Sequence, residues 1–204
     1  MISGDNSGKV PIYGLVLAGG KSVRMGEDKG RIKWHGIEQR YHMANMLSGF
    51  CNEVFISCRQ EQVGVMDSSY KLLPDSVDGA GPICGILSAF KVYPDVAWLV
   101  IACDLPLLDE AILQYLIEKR VATTLASTFE SPYDSLPEPL ITIWEPLSYS
   151  LLLQFFNEGF NCPRKILIRN KERVNILQPP NPDALLNANT PADAKLVMSK
   201  IKVK

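Results

Sequence analysis

The sequence carries no excess of basic charge. Its 21 Lys and Arg are offset by 22 Asp and Glu, for a net charge of −1. That argues against nucleic-acid binding by bulk electrostatics, which draws on a clear basic surplus. Positive charge concentrated at one site is still allowed. Histidine is scarce. His35 and His42 have no metal-ligand spacing, and neither is read as a catalyst. The cysteines, Cys51, Cys58, Cys84, Cys103 and Cys162, are odd in number and form no C-x-x-C pair. A zinc knuckle or disulfide framework is therefore disfavoured, and free thiols in a reducing compartment are expected. No apolar run reaches the roughly 18 residues that would span a membrane. Residues 1–11 lack the apolar core of a signal peptide and read as a flexible extension. Repeats and low-complexity tracts are also missing. The expectation is a cytoplasmic protein with neither nucleic acid nor membrane as partner.

What is present is ordinary for a globular chain. Of the 204 residues, 47% are hydrophobic and 21% charged, which suits a single domain over 1–204. A domain of this size buries about 70% of its unfolded surface and needs no covalent staple.

Apolar runs alternate with amphipathic stretches. Tyr13–Leu17, Glu53–Ser57 and the wholly apolar Ala97–Ala102 read as strands. Ile37–Phe50, Gly81–Phe90, Glu110–Lys119, Leu147–Asn157 and Pro191–Ile201 read as helices. Pro82 stands in a first turn and Asp109 at an N-cap. Thr123–Thr128 and Leu140–Trp144 complete the strands, with loops over 130–139 and 178–183. This order predicts an α/β fold: a three-layer α/β/α sandwich around a mostly parallel, Rossmann-like sheet. Ligands in such sheets bind beyond the carboxyl ends of the strands, and the chemistry-bearing residues follow two of the three strongest strands.

The first of these segments runs Leu17-Ala18-Gly19-Gly20-Lys21-Ser22-Val23-Arg24-Met25-Gly26-Glu27-Asp28-Lys29. Adjacent glycines let backbone N–H groups face an anion. Arg24 and Lys29 add fixed charge, so the loop suits a triphosphate or pyrophosphate. It is not a Walker A loop, because five residues rather than four separate Gly14 from Gly20-Lys21-Ser22. Neither glycine opens a G-x-G-x-x-G fingerprint.

The second is Cys103-Asp104-Leu105-Pro106, at the tip of a buried strand. A carboxylate so mounted suits Mg²⁺, which takes one or two carboxylates plus phosphate oxygens and waters. Asp109 is better placed to cap the next helix, which leaves Asp104 for function. Asp75, in Leu73-Pro74-Asp75-Ser76, is by itself a common turn residue. Gly81-Pro82-x-x-Gly85 brings backbone close to either a ligand or a neighbouring helix. Thr190-Pro191-Ala192-Asp193 reads as a capping box for the last helix. Arg164 and Lys165 are either a phosphate site or a solvated basic pair.

The pattern L-A-G-G-x-S-x-R-M-G-x-D-K is matched at every specified position. With it the chain resembles the nucleotidyltransferases related to molybdenum cofactor guanylyltransferase, over about Tyr13–Leu196. Three further blocks follow in the family's order: D-x-x-x-x-x-G-P-x-x-G from Asp75 to Gly85, the Asp104 strand end, and Asn187-Ala188-Asn189-Thr190-Pro191-Ala192-Asp193. The resemblance implies a nucleotide-diphospho-sugar transferase type of fold and transfer of GMP from GTP to the phosphate of molybdopterin, or molybdenum cofactor, with Mg²⁺ and release of pyrophosphate. In this reading Leu17, Ala18, Gly19 and Gly20 contact the nucleotide through their backbone. Asp75 orients ribose or base, and Asp104 holds the metal. Arg24 and Lys29 neutralise the leaving pyrophosphate. Arg164, Lys165, Asn187 and Asn189 are the candidates for binding the acceptor. A molybdoenzyme or a cofactor-insertion protein is a further candidate partner. The chain departs from the family at N-A-N-R, which reads Ile56-Ser57-Cys58-Arg59 here. Related enzymes that use CTP tend to carry Leu-Ala-Ala-Gly where this chain has Leu-Ala-Gly-Gly, which implies GTP. The alternatives are a cytidylyl- or other nucleotidyltransferase acting on a pterin or sugar phosphate, and a non-catalytic carrier of nucleotide or cofactor.

Overall fold

The structure, a computed structural model, describes residues 10–20, 28–79 and 81–201. Seven strands form one sheet: β1 (Ile12–Leu17), β2 (Glu53–Cys58), β3 (Leu72–Pro74), β4 (Ala97–Ala102), β5 (Ala126–Glu130), β6 (Pro137–Trp144) and β7 (Val174–Leu177). Their order across the sheet is β3-β2-β1-β4-β6-β5-β7. Only β6 runs against its neighbours; the other pairs are parallel. The helices are α1 (Gln39–Ser48), α2 (Pro82–Val92), α3 (Glu110–Glu118), α4 (Tyr149–Asn157), α5 (Pro163–Arg169) and α6 (Pro191–Ile201).

All six residues of β4 are buried, as expected of a strand covered on both faces. Leu99 and Ile101 pack with Met43 and Leu47 of α1 and Ile112 and Leu116 of α3. Trp98 and Val100 face the other way, into a cluster with Ile83, Ile86 and Phe90 of α2, Leu152 of α4 and Ile166 of α5. Period-two alternation along the central strands thus divides the core into two layers. Among the described residues no helix is long and apolar enough to cross a membrane. All five cysteines are free.

Some sequence expectations need correction. The strand expected at Thr123–Thr128 begins at Ala126, because Val121–Thr124 is a turn whose Thr124 hydroxyl donates to Val121 O at 2.7 Å. β-branched threonine served that turn rather than a strand. The expected loop over 130–139 ends early, since β6 starts at Pro137. Two prolines enter this strand where its register with β5 shifts between Thr128 and Glu130, and a bulge spares the missing N–H donors. β3, α5 and β7 were not anticipated. The Asp109 cap is present, with its carboxylate accepting from Ile112 N at 3.2 Å. In the capping box, Asp193 accepts from Thr190 N at 2.8 Å and Thr190 Oγ1 accepts from Asp193 N at 3.2 Å.

Gly85 settles what its helix approaches. A Cβ there would collide with Ser57 Oγ and lie 2.8 Å from Leu17 Cδ2, so α2 packs directly on the ends of β1 and β2. Gly85→Ala is expected to cost about 1–3 kcal/mol by overpacking. That lowers Tm by roughly 2–4 °C per kcal/mol in a thermal melt.

Candidate active site

The chain leaves β1 toward β2 and β3, then returns to the other side of β1 as β4. Such a reversal opens a crevice beyond the carboxyl ends of the strands. A cleft of about 970 Å³ lies there. Leu17–Gly20 form its edge after β1, Ser57 and Arg59 follow from β2, Asp75 from β3 and Cys103–Asp104 from β4. The start of α2 closes one side, through a Gly81 at φ 96°, a conformation that favours glycine.

Three distant parts of the sequence meet on the floor. Lys29 Nζ lies 3.6 Å from Asp104 Oδ2 and donates to Asn189 Oδ1. The Asn189 segment is held against β4 by Ala188 N, which donates to Asp104 O at 2.8 Å. Lys29 itself stands in a 3-10 turn, Lys29–Arg31, capped by Asp28. Asp104 is 17% exposed at its side chain, and its Oδ1 is buried with no hydrogen-bond partner. Burial pushes the Asp104 pKa up, and the Lys29 ammonium opposes the shift.

That unmatched acceptor tests whether the site fits a metal ion. Among the described residues no group of three or more His, Cys, Asp or Glu is gathered. An all-protein cage is therefore absent from them. One carboxylate with a buried, unmatched oxygen, on a residue that lines a nucleotide-sized cleft, fits a hard divalent ion that fills its remaining positions with phosphate oxygens and water.

Across the cleft, Ser57 Oγ donates to Asp75 Oδ1 at 2.8 Å. Burial raises the Asp75 pKa, against the Ser57 hydrogen bond and the charge of Arg59. Arg59 Nη1 donates to Gly19 O and fastens the glycine turn to the end of β2.

The cleft therefore brings together Leu17, Ala18, Gly19, Gly20, Lys29, Asp75, Asp104 and Asn189 of the expected set. Arg24 lies outside the described residues. Asn187 is half-buried and does not line the cleft, and Lys165 is exposed on α5. Arg164 is also off the cleft. Its guanidinium bridges Asp134 and Glu138, each at 2.7 Å, so two carboxylates already hold it through Nη1 and Nη2. The histidine rings stack on each other at 4.1 Å, and neither residue lines the cleft. Ser57, Asp28 and Gln62 were not assigned from sequence. Asp28 carried a signal, its place beside Lys29 in the glycine segment; Gln62 carried none.

A family model for the MobA-like NTP transferase domain matches residues 14–173. The chain belongs to this family. A molybdenum cofactor biosynthesis bifunctional protein of Synechocystis is 36% identical over 186 residues, covering 91% of this chain and 53% of that protein. The chain thus spans about half the length of that relative. A molybdenum cofactor guanylyltransferase of Pseudomonas fluorescens is 31% identical over 196 residues, covering 92% of this chain and 94% of the relative. In structure the family fold extends further. Molybdopterin-guanine dinucleotide biosynthesis protein A of Archaeoglobus fulgidus superposes with a TM-score of 0.77 at 23% identity, over 94% of this chain and 100% of that one. A CMP:2-keto-3-deoxy-manno-octonic acid synthetase solved with CTP gives 0.70 at 11% identity, over 95% and 99%, and shares the fold.

Proposed function

We propose that this chain transfers GMP from GTP to the phosphate of molybdopterin, forming a guanine dinucleotide and pyrophosphate in the cytoplasm. The observation that carries the reading is the meeting of Lys29, Asp104 and Asn189 beneath the Leu17–Gly20 turn. The names of the Synechocystis and Pseudomonas relatives support the same chemistry. A molybdoenzyme or cofactor-insertion protein would receive the product.

Nucleotidyl transfer asks the protein for positioning and charge neutralisation more than for a covalent step. The backbone of Leu17–Gly20 cradles the nucleotide. Lys29, already aimed into the cleft, neutralises charge on the leaving pyrophosphate, and Arg24 is proposed to join it. Asp75, fixed by Ser57, orients the ribose or base. Asp104 would hold Mg²⁺, which supplies charge neutralisation at the phosphates. The acceptor phosphate then attacks the α-phosphorus in line, with no nucleophilic side chain. Asn189 lines the cleft and would meet the acceptor there; Asn187, off the cleft, and Arg164, paired with two carboxylates, would each have to move to join it.

The choice of GTP over CTP rests on Gly19. A Cβ there would come within 3.3 Å of Asp75 Oδ2 and 3.6 Å of Arg59 N, so an alanine narrows the cleft against both. Gly19→Ala is expected to lower kcat/KM for GTP by about 10-fold, the scale of one methyl in a pocket, with a smaller loss for CTP.

The function itself is tested by turnover of molybdopterin with GTP or CTP, following dinucleotide and pyrophosphate. Guanine dinucleotide as the preferred product supports the reading. A cytosine dinucleotide, or nucleotide binding without turnover, contradicts it.

A further inference from the structure

Gln62 belongs to no motif and takes no part in the chemistry above, yet it is only 6% exposed. It stands in the 3-10 turn Gln60–Val65 that follows β2. The two ends of its amide have different partners. Oε1 accepts from Arg59 N at 2.8 Å, which caps the turn. Nε2 donates to Asp28 Oδ2 at 3.3 Å and to Ala18 O at 3.5 Å. Ala18 and Asp28 stand at the two ends of the glycine segment.

Asp28 passes this anchoring on. Its Oδ1 accepts from Gly30 N at 2.9 Å and seats the turn that carries Lys29. Its Oδ2 also faces Arg40 Nη1 at 3.7 Å. Arg40, 2% exposed on α1, is itself held by Glu38 at 2.5 Å. From the end of β2, Arg59 and its exposed partner Glu61 face the same region, beside the buried Cys58 thiol.

We propose that Gln62 is a positioning residue for nucleotide transfer: its amide latches Ala18 to Asp28 and, through Asp28, sets where Lys29 stands. This rests on reading the cleft as a nucleotide site. A cap alone does not call for glutamine, since glutamate serves equally at the third position of a capping box. Only an amide accepts from Arg59 while donating to two further oxygens. Fixing Ala18 and Asp28 before the nucleotide arrives leaves less freedom to lose on binding, which favours it.

The Gln62→Glu variant separates cap from latch, because it keeps the acceptor and removes the donors. Binding of GTP with Mg²⁺ to the full chain is measured by calorimetry beside wild type. At about pH 8 the variant is expected to bind about 10-fold more weakly, the scale of a hydrogen bond lost to a charged group, with Tm lowered by the second carboxylate beside Asp28. Wild-type affinity in Gln62→Glu, or in the uncharged Gln62→Met, overturns the latch. Should Gln62→Glu fail to fold, Gln62→Met, Asp28→Asn and their double variant decide: non-additive losses support the latch and additive ones overturn it. If wild type binds no nucleotide at all, the cleft reading fails, and the latch with it. If wild type binds and the variants match it, only the latch fails.

Discussion

Lys29→Ala is expected to lower turnover by about 10²–10³-fold, the usual cost of removing one charge-stabilising donor from a transition state. Lys29 is the cation the fold brings nearest to Asp104 among the described residues, at 3.6 Å, and it is fixed there by Asn189. Its backbone turn does not depend on the side chain, because the Asp28 cap is made to Gly30 N. The variant should therefore melt close to wild type while losing activity. A charge-only role predicts partial recovery in Lys29→Arg. Steady-state kinetics of the folded variants check this, and wild-type kcat in Lys29→Ala would contradict the assignment.

Asp104→Asn is expected to separate activity from stability. Turnover should fall by at least about 10²–10³-fold, because the variant removes the charge that would hold the metal at the phosphates. Stability should move the other way. Burial holds the folded pKa of Asp104 above its ordinary value. The native state therefore binds that proton more tightly than the unfolded chain does. This contribution is fully present below the ordinary carboxylate range and is lost as pH rises through the raised value. Asparagine never ionises. The Tm of Asp104→Asn should exceed that of wild type at neutral pH, and the gap should close in acid. Melts across pH without metal check the sign; a gap that widens in acid would refute it. Wild-type turnover in folded Asp104→Ala would remove the metal assignment.

The parts of this molecule legible in sequence are those with strong local patterns. β4 is apolar at every position because both its faces are covered, and its bounds were read correctly. β3 has three residues and β7 four, too short for any period to show. Pro163 opens α5 at its first turn, a start that is easily read as loop. In the site, the glycine segment and Asp104 stood out because each breaks a buried strand with polar chemistry. The contact between Lys29 and Asn189 did not, since it joins residues 160 apart through the docking of Ala188 on Asp104 O. Arg164 suits a phosphate by sequence alone, because its two carboxylate partners, Asp134 and Glu138, lie far upstream and meet it only in the fold. A lone glutamine such as Gln62 has no pattern at all. Its role comes from bridging segments that the sequence keeps apart.

The most direct test of the nucleotide site is calorimetry of GTP and of CTP, each with and without Mg²⁺, on wild type and on Asp104→Asn. A cleft built around Gly19, Lys29 and Asp104 predicts that wild type prefers GTP, that Mg²⁺ tightens this binding, and that the metal's effect disappears in Asp104→Asn. Equal affinity for GTP and CTP, or a metal effect that survives in Asp104→Asn, would contradict it.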